Sequence, residues 1–201
     1  GSRDEDDKCN GISHFIEHML FKGTGARDSL TIAKELDAIG GLSNAFTCKE
    51  YTCFHSKVLK KHFVLLADIL SDIFLNSGFE PQDIDRERQV ILQEIGMVED
   101  SPEEFVHELF SNLFYKNHPL GLPILGTVES ISSINRKMLL DHIKRFYGPD
   151  RIIITATGDI DHDNIVEFFR PLFESIEPVK NRQSNNPPEN RSNILCVQRS
   201  L

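Results

Sequence analysis

Cysteine is scarce, with four residues in a chain of 201. They are too few and too scattered for a disulfide framework. Cys48 and Cys53, five positions apart, would point to opposite faces of a single strand. A reducing compartment suits such usage. Basic residues are also in short supply. Against 31 Asp and Glu there are 22 Lys and Arg, giving a formal charge of −9 and a pI near 5.3. With no basic patch, that balance argues against nucleic acid as a partner. No apolar run approaches membrane-spanning length, no signal-peptide pattern is visible, and there is no internal repeat. At 39% hydrophobic, the chain is large enough for one sizeable α+β core.

Against that background one pentapeptide stands out. His14-Phe15-Ile16-Glu17-His18 has the form H-x-x-E-H, the inverse of the zinc-protease H-E-x-x-H pattern. At 3.6 residues per turn, positions i, i+3 and i+4 share a helix face. His14 and His18 can therefore grip one metal ion, with Glu17 aimed at the same spot. Zn²⁺ accepts imidazole nitrogen well, and a neighbouring carboxylate can take a proton from water. The plain alternative is a solvated helix face that happens to carry two histidines. The wheel argues against it: Ile12, Phe15, Ile16, Met19 and Leu20 form one apolar side, and opposite them stand two His, one Glu and Phe21 rather than Lys, Arg and Ser. Asn10-Gly11 reads as a capped start and Lys22 to Gly25 as a stop.

A zinc site of this kind needs a third protein ligand. The segment Pro81 to Val98 reads as a helix, with Pro81 in its first turn and Asp83 and Asp85 near its positive end. Its inward stripe is Ile84, Glu87, Ile91, Glu94 and Val98. Two carboxylates on an inward stripe need partners, because burying an unpaired charge is costly. Both Glu87 and Glu94 are candidates for the metal on this ground, and pairing with Arg86 and Arg88 on an exposed face is the other option.

Several segments together resemble the pitrilysin, insulin-degrading enzyme and mitochondrial processing peptidase family, and within it the short bacterial processing-peptidase-like members. They are Gly1 to Arg3, Asn10 to Thr24, Gly40 to Thr47, Glu50 to Thr52, Glu87 to Glu94, His118 to Gly121 and Gly126-Thr127. The resemblance implies a zinc-dependent endopeptidase acting on short or unfolded peptides, with one Zn²⁺ per chain. His14, His18 and Glu94 would be the metal ligands and Glu17 the base that activates water. Glu87 would hold a ligating His in place. Asn44, Ala45 and Phe46 would form an edge strand that pairs with the substrate backbone. Read from the residues alone, Leu42 to Leu59 is a core hairpin broken at Lys49-Glu50.

The fold expected is α+β, with helices packed on one mixed, mainly antiparallel sheet, forming one half of a two-domain clamshell. Residues 1–177 would be the zinc-binding domain with an upstream first strand missing, 178–193 a polar linker, and 194–201 the start of a further strand. Helices are expected near Ser29–Ile39, Lys61–Leu75, Pro81–Val98, Pro102–Tyr115, Asn135–Phe146 and Ile160–Ile176. Arg151 to Thr157 reads as a buried strand. The family's second half, in the same chain or another subunit, supplies donors for the transition state, and a homodimer is one way to provide it. Cytoplasmic localisation in a bacterium is the expectation, with periplasm and organelle matrix left open. Two other classes remain: a non-catalytic partner or scaffold subunit of the same family, and a metal-dependent hydrolase of a non-peptide substrate.

Overall fold

The structure, a computed structural model, describes residues 1–179, 187–188 and 194–198. Helix α1 (Ile12–Leu20) lies at its centre. Its apolar side is sealed: Ile12, Phe15, Ile16, Met19 and Leu20 are all buried, in one cluster with Ile84, Ile91, Ile95, Ile131, Ile134 and Leu139. At about 25 cal/mol per Å² of apolar surface removed from water, each such side chain contributes roughly 1.5–3 kcal/mol.

Around α1 are α2 (Ser29–Ala38), a hairpin of β1 (Leu42–Thr47) and β2 (Thr52–Lys57), and α3 (Phe63–Asn76). There follow α4 (Pro81–Asp100), α5 (Pro102–Phe114), α6 (Val128–Ser133), α7 (Arg136–Phe146) and α8 (His162–Phe173). The helices match the expected segments to within a few residues, because caps are written locally. Asp28 accepts the Thr31 N–H at 2.7 Å, and Pro81 and Pro102 open their helices where a missing N–H costs nothing. Short α6 is not foreshadowed by hydrophobic period; a reciprocal Thr127–Ser130 capping box starts it. The hydrophobic stripe of α4 ends on Ile95 instead of Val98, so Glu94 is half-exposed while Glu87 is buried.

The fold is α+β, with helices packed against an antiparallel sheet. Among the described residues that sheet has two strands, paired from Leu42↔Lys57 to Thr47↔Thr52. Arg151 to Thr157 differs from expectation. Among the described residues, 152–157 join no ladder, and Ile153 is 87% exposed. A strand needs a backbone partner, and β2 spends one edge on β1. Its other side and residues 152–157 instead line a shared cleft of about 1020 Å³, floored by Phe63, Phe74, Phe146 and Tyr147. The linker expected at 178–193 and the strand at 194–201 fall largely outside the described residues, and residues 194–198 are not part of the sheet. No described helix is long and apolar enough to cross a membrane.

The start of α1 is built unexpectedly. Asn10 does not cap it. Gly11 is the N-cap at φ 87°, where a Cβ would meet Leu125 O at 2.6 Å, so glycine alone fits. The cap is Glu5, 2% exposed, whose carboxylate accepts from the Gly11 N–H (2.7 Å), the Ser13 N–H (2.9 Å) and the Asn10 side-chain amide (3.2 Å). Burial pushes its carboxyl above the ordinary value, against the pull of these donors.

Candidate metal centre

His14, Glu17 and His18 project from α1 towards α4 and the end of β1. Nε2 of His14 and Nε2 of His18 are 3.2 Å apart. Glu94 Oε2 from α4 lies 3.7 Å from the first and 3.5 Å from the second. Donors bound tetrahedrally to zinc at 2.0–2.1 Å stand about 3.4 Å from one another. The three atoms therefore already have the spacing that such an ion requires. Among the described residues, this is the one cluster of His, Cys, Asp and Glu with metal-binding spacing. Two imidazole nitrogens at this distance repel through their lone pairs unless a proton or a cation lies between them.

Burial, helped by His18, lowers the His14 pKa to about 4, so its ring is neutral near pH 7, the form that ligates a metal. His14 Nδ1 is buried with no hydrogen-bond partner among the described residues. His18 is held differently. Its Nδ1 lies 3.1 Å from Glu87 Oε2, and a carboxylate there selects the Nδ1–H tautomer, turning the Nε2 lone pair to the cluster. Glu87 thus supports His18 and not His14. Its other oxygen, Oε1, lies 2.7 Å from Lys22 Nζ. Arg86 and Arg88 pair instead with Asp83 (3.1 Å) and Asp85 (3.8 Å), which leaves both glutamates to the centre.

Glu17 is half-buried, and that burial raises its carboxyl pKa despite a hydrogen bond from Thr47 and the nearby His18. Thr47 Oγ1 donates to Glu17 Oε2 at 2.5 Å. Asn44, Ala45 and Phe46 lie on β1, whose outer edge has no strand partner among the described residues. Asn44 Oδ1 accepts from the Ala45 N–H at 2.9 Å, so the side chain shields the backbone of this edge. The sequence reading passed over Lys22, Thr47 and Glu5. Lys22 stands four residues after His18, a spacing that could have flagged it; Thr47 and Glu5 carry no local signal.

The first 128 residues match the family model described as "Insulinase (Peptidase family M16)", and residues 133–199 match "Peptidase M16 inactive domain". An "Uncharacterized zinc protease YmxG" of Bacillus subtilis is 43% identical over 189 residues, 94% of this chain and 46% of that protein. The chain thus spans about half the length of the curated relatives it matches. A protease from Helicobacter pylori superposes with a TM-score of 0.84 at 24% identity, covering 95% of this chain and 46% of that one. A peptidase M16 inactive domain from Pseudomonas fluorescens does so with a TM-score of 0.82 at 15% identity, covering 94% and 46%. Those two likenesses concern the fold. On the match over residues 1–128 and the 43% identity, the chain belongs to the insulinase family, peptidase family M16.

Proposed function

We propose that this chain is the metal-binding half of a zinc-dependent endopeptidase that works together with a second, similarly folded half. The observation that carries this is the convergence of His14 Nε2, His18 Nε2 and Glu94 Oε2, at mutual distances of 3.2 to 3.7 Å, beside an ionisable Glu17. A Zn²⁺ ion held by these three would polarise a scissile carbonyl and make water easier to deprotonate. Glu17 takes a proton from the attacking water and returns it to the departing amine. Glu87, itself braced by Lys22, keeps His18 in its ligating tautomer. The outer edge of β1, at Asn44 to Phe46, aligns an extended peptide by main-chain hydrogen bonds, the peptide taking the place of Asn44 Oδ1 at the Ala45 N–H.

Elemental mass spectrometry of the purified chain, His14→Ala and Glu94→Ala tests the centre. About one zinc per chain is expected, falling to background in both variants. No zinc in the unaltered chain after reconstitution would overturn the reading and promote the scaffold alternative. The isolated chain should also turn over a quenched peptide at least about a hundredfold more slowly than the two halves together. Donors for the developing oxyanion are each worth 10²–10³ in rate and would come from the other half. Equal rates would refute that dependence.

A further inference from the structure

A hydrogen-bonded pair of hydroxyls leads from Thr52, on the cleft wall, to the carboxylate of Glu17. Thr47 and Thr52 close the β hairpin as directly opposed residues, with Oγ1 atoms 3.2 Å apart. Thr47 Oγ1 is 2.5 Å from Glu17 Oε2. The directions follow from counting hydrogens. An ionised carboxylate only accepts, so Thr47 spends its one hydrogen on Glu17. Its oxygen must then accept from Thr52. Both hydroxyl hydrogens are committed, and one bond polarises the other.

We infer that Thr47 is a positioning residue for the reaction proposed above: its hydroxyl, oriented by Thr52, fixes the Glu17 carboxylate and occupies Oε2, leaving Oε1 to carry the transferred proton. The inference rests on the peptidase reading. Its placement favours a built device over a chance contact. The donor sits at the last paired position of β1, where the Cys48 N–H to Tyr51 O bond of 2.8 Å closes the turn and leaves little room for drift.

The test compares Thr47→Val, which keeps the shape, with Thr47→Ser, which keeps the hydroxyl, in a full-length protein that carries both halves. Thr47→Val should lower kcat about 10- to 100-fold, with KM and zinc affinity by chelator competition within about twofold of the unaltered protein. Thr47→Ser should retain activity within about threefold. In a Glu17→Gln background Thr47→Val should cost nothing more, because coupled residues are non-additive. A crystal structure of Thr47→Val should show the Glu17 carboxylate displaced. An unmoved carboxylate, full activity in Thr47→Val, an equal loss in Thr47→Ser, or an additive loss on Glu17→Gln would each overturn the assignment. If the zinc-loaded unaltered protein cleaves no peptide, the peptidase reading fails, and the carboxylate position still decides whether Thr47 holds Glu17.

Discussion

Glu17→Gln should leave about one zinc per chain in place and lower kcat for peptide hydrolysis roughly 10²- to 10⁴-fold, the range for loss of a positioned acid–base group. The amide is nearly isosteric with the carboxylate, and its oxygen can still accept from Thr47 Oγ1, now 2.5 Å from Oε2. His14, His18 and Glu94 are untouched, so metal binding and the fold should persist. What disappears is the capacity to take a proton. The carboxyl suits that task because its burial raises its pKa towards neutrality, as the Brønsted relation for a base favours. Metal content and kcat measured on the same preparation check the outcome. Activity within a few-fold of the unaltered protein would remove Glu17 from the mechanism, whereas loss of zinc would make it a ligand or a structural support.

Glu5→Ala should be the most destabilising single change at the start of α1, by about 3–5 kcal/mol in denaturant unfolding. The variant would orphan the Gly11 and Ser13 N–H groups and one N–H of the Asn10 side-chain amide, all bonded to Glu5 at 2.7 to 3.2 Å, while the amide keeps its bond to Pro123 O. Each buried, unsatisfied donor costs about 1–3 kcal/mol. Glu5→Gln should cost less, since one oxygen still accepts while its NH₂ meets a donor. The two also differ with pH. Because burial raises the folded-state pKa of Glu5, its contribution is present in full below the unfolded value near 4.5. That contribution is lost as pH rises through the folded value. Glu5→Gln cannot titrate, so its difference from the unaltered chain should shrink with rising pH. A Glu5→Ala variant as stable as the parent would show that α1 needs no such cap. Since α1 carries His14, Glu17 and His18, zinc affinity should weaken along with stability.

Much of this architecture can be read in the chain because it is local. His14, Glu17 and His18 face together through the helical period alone, and Ile84, Glu87 and Ile91 repeat at the same spacing on α4. Proline and Asp caps set the helix boundaries within a turn. Side-chain chemistry narrowed the third donor to Glu87 or Glu94, and the family resemblance chose Glu94. Partner assignment was harder. Glu87 pairs with His18 rather than His14 across 69 residues of sequence, and only the approach of α4 to α1 decides which imidazole it reaches.

The sequence by itself determined the face shared by His14, Glu17 and His18, the helices that present it and the acidic, cysteine-poor character of the chain, since each follows from spacing or composition. Tertiary structure alone decided that Lys22 braces Glu87, that Thr47 seizes Glu17 from 30 residues away, and that Glu5 caps α1. It also decided that residues 152–157, apolar enough for a strand, pair with no strand among the described residues and lie beside the cleft. A side chain's type says what it can bond, but the bond forms only where packing brings a partner within about 3 Å.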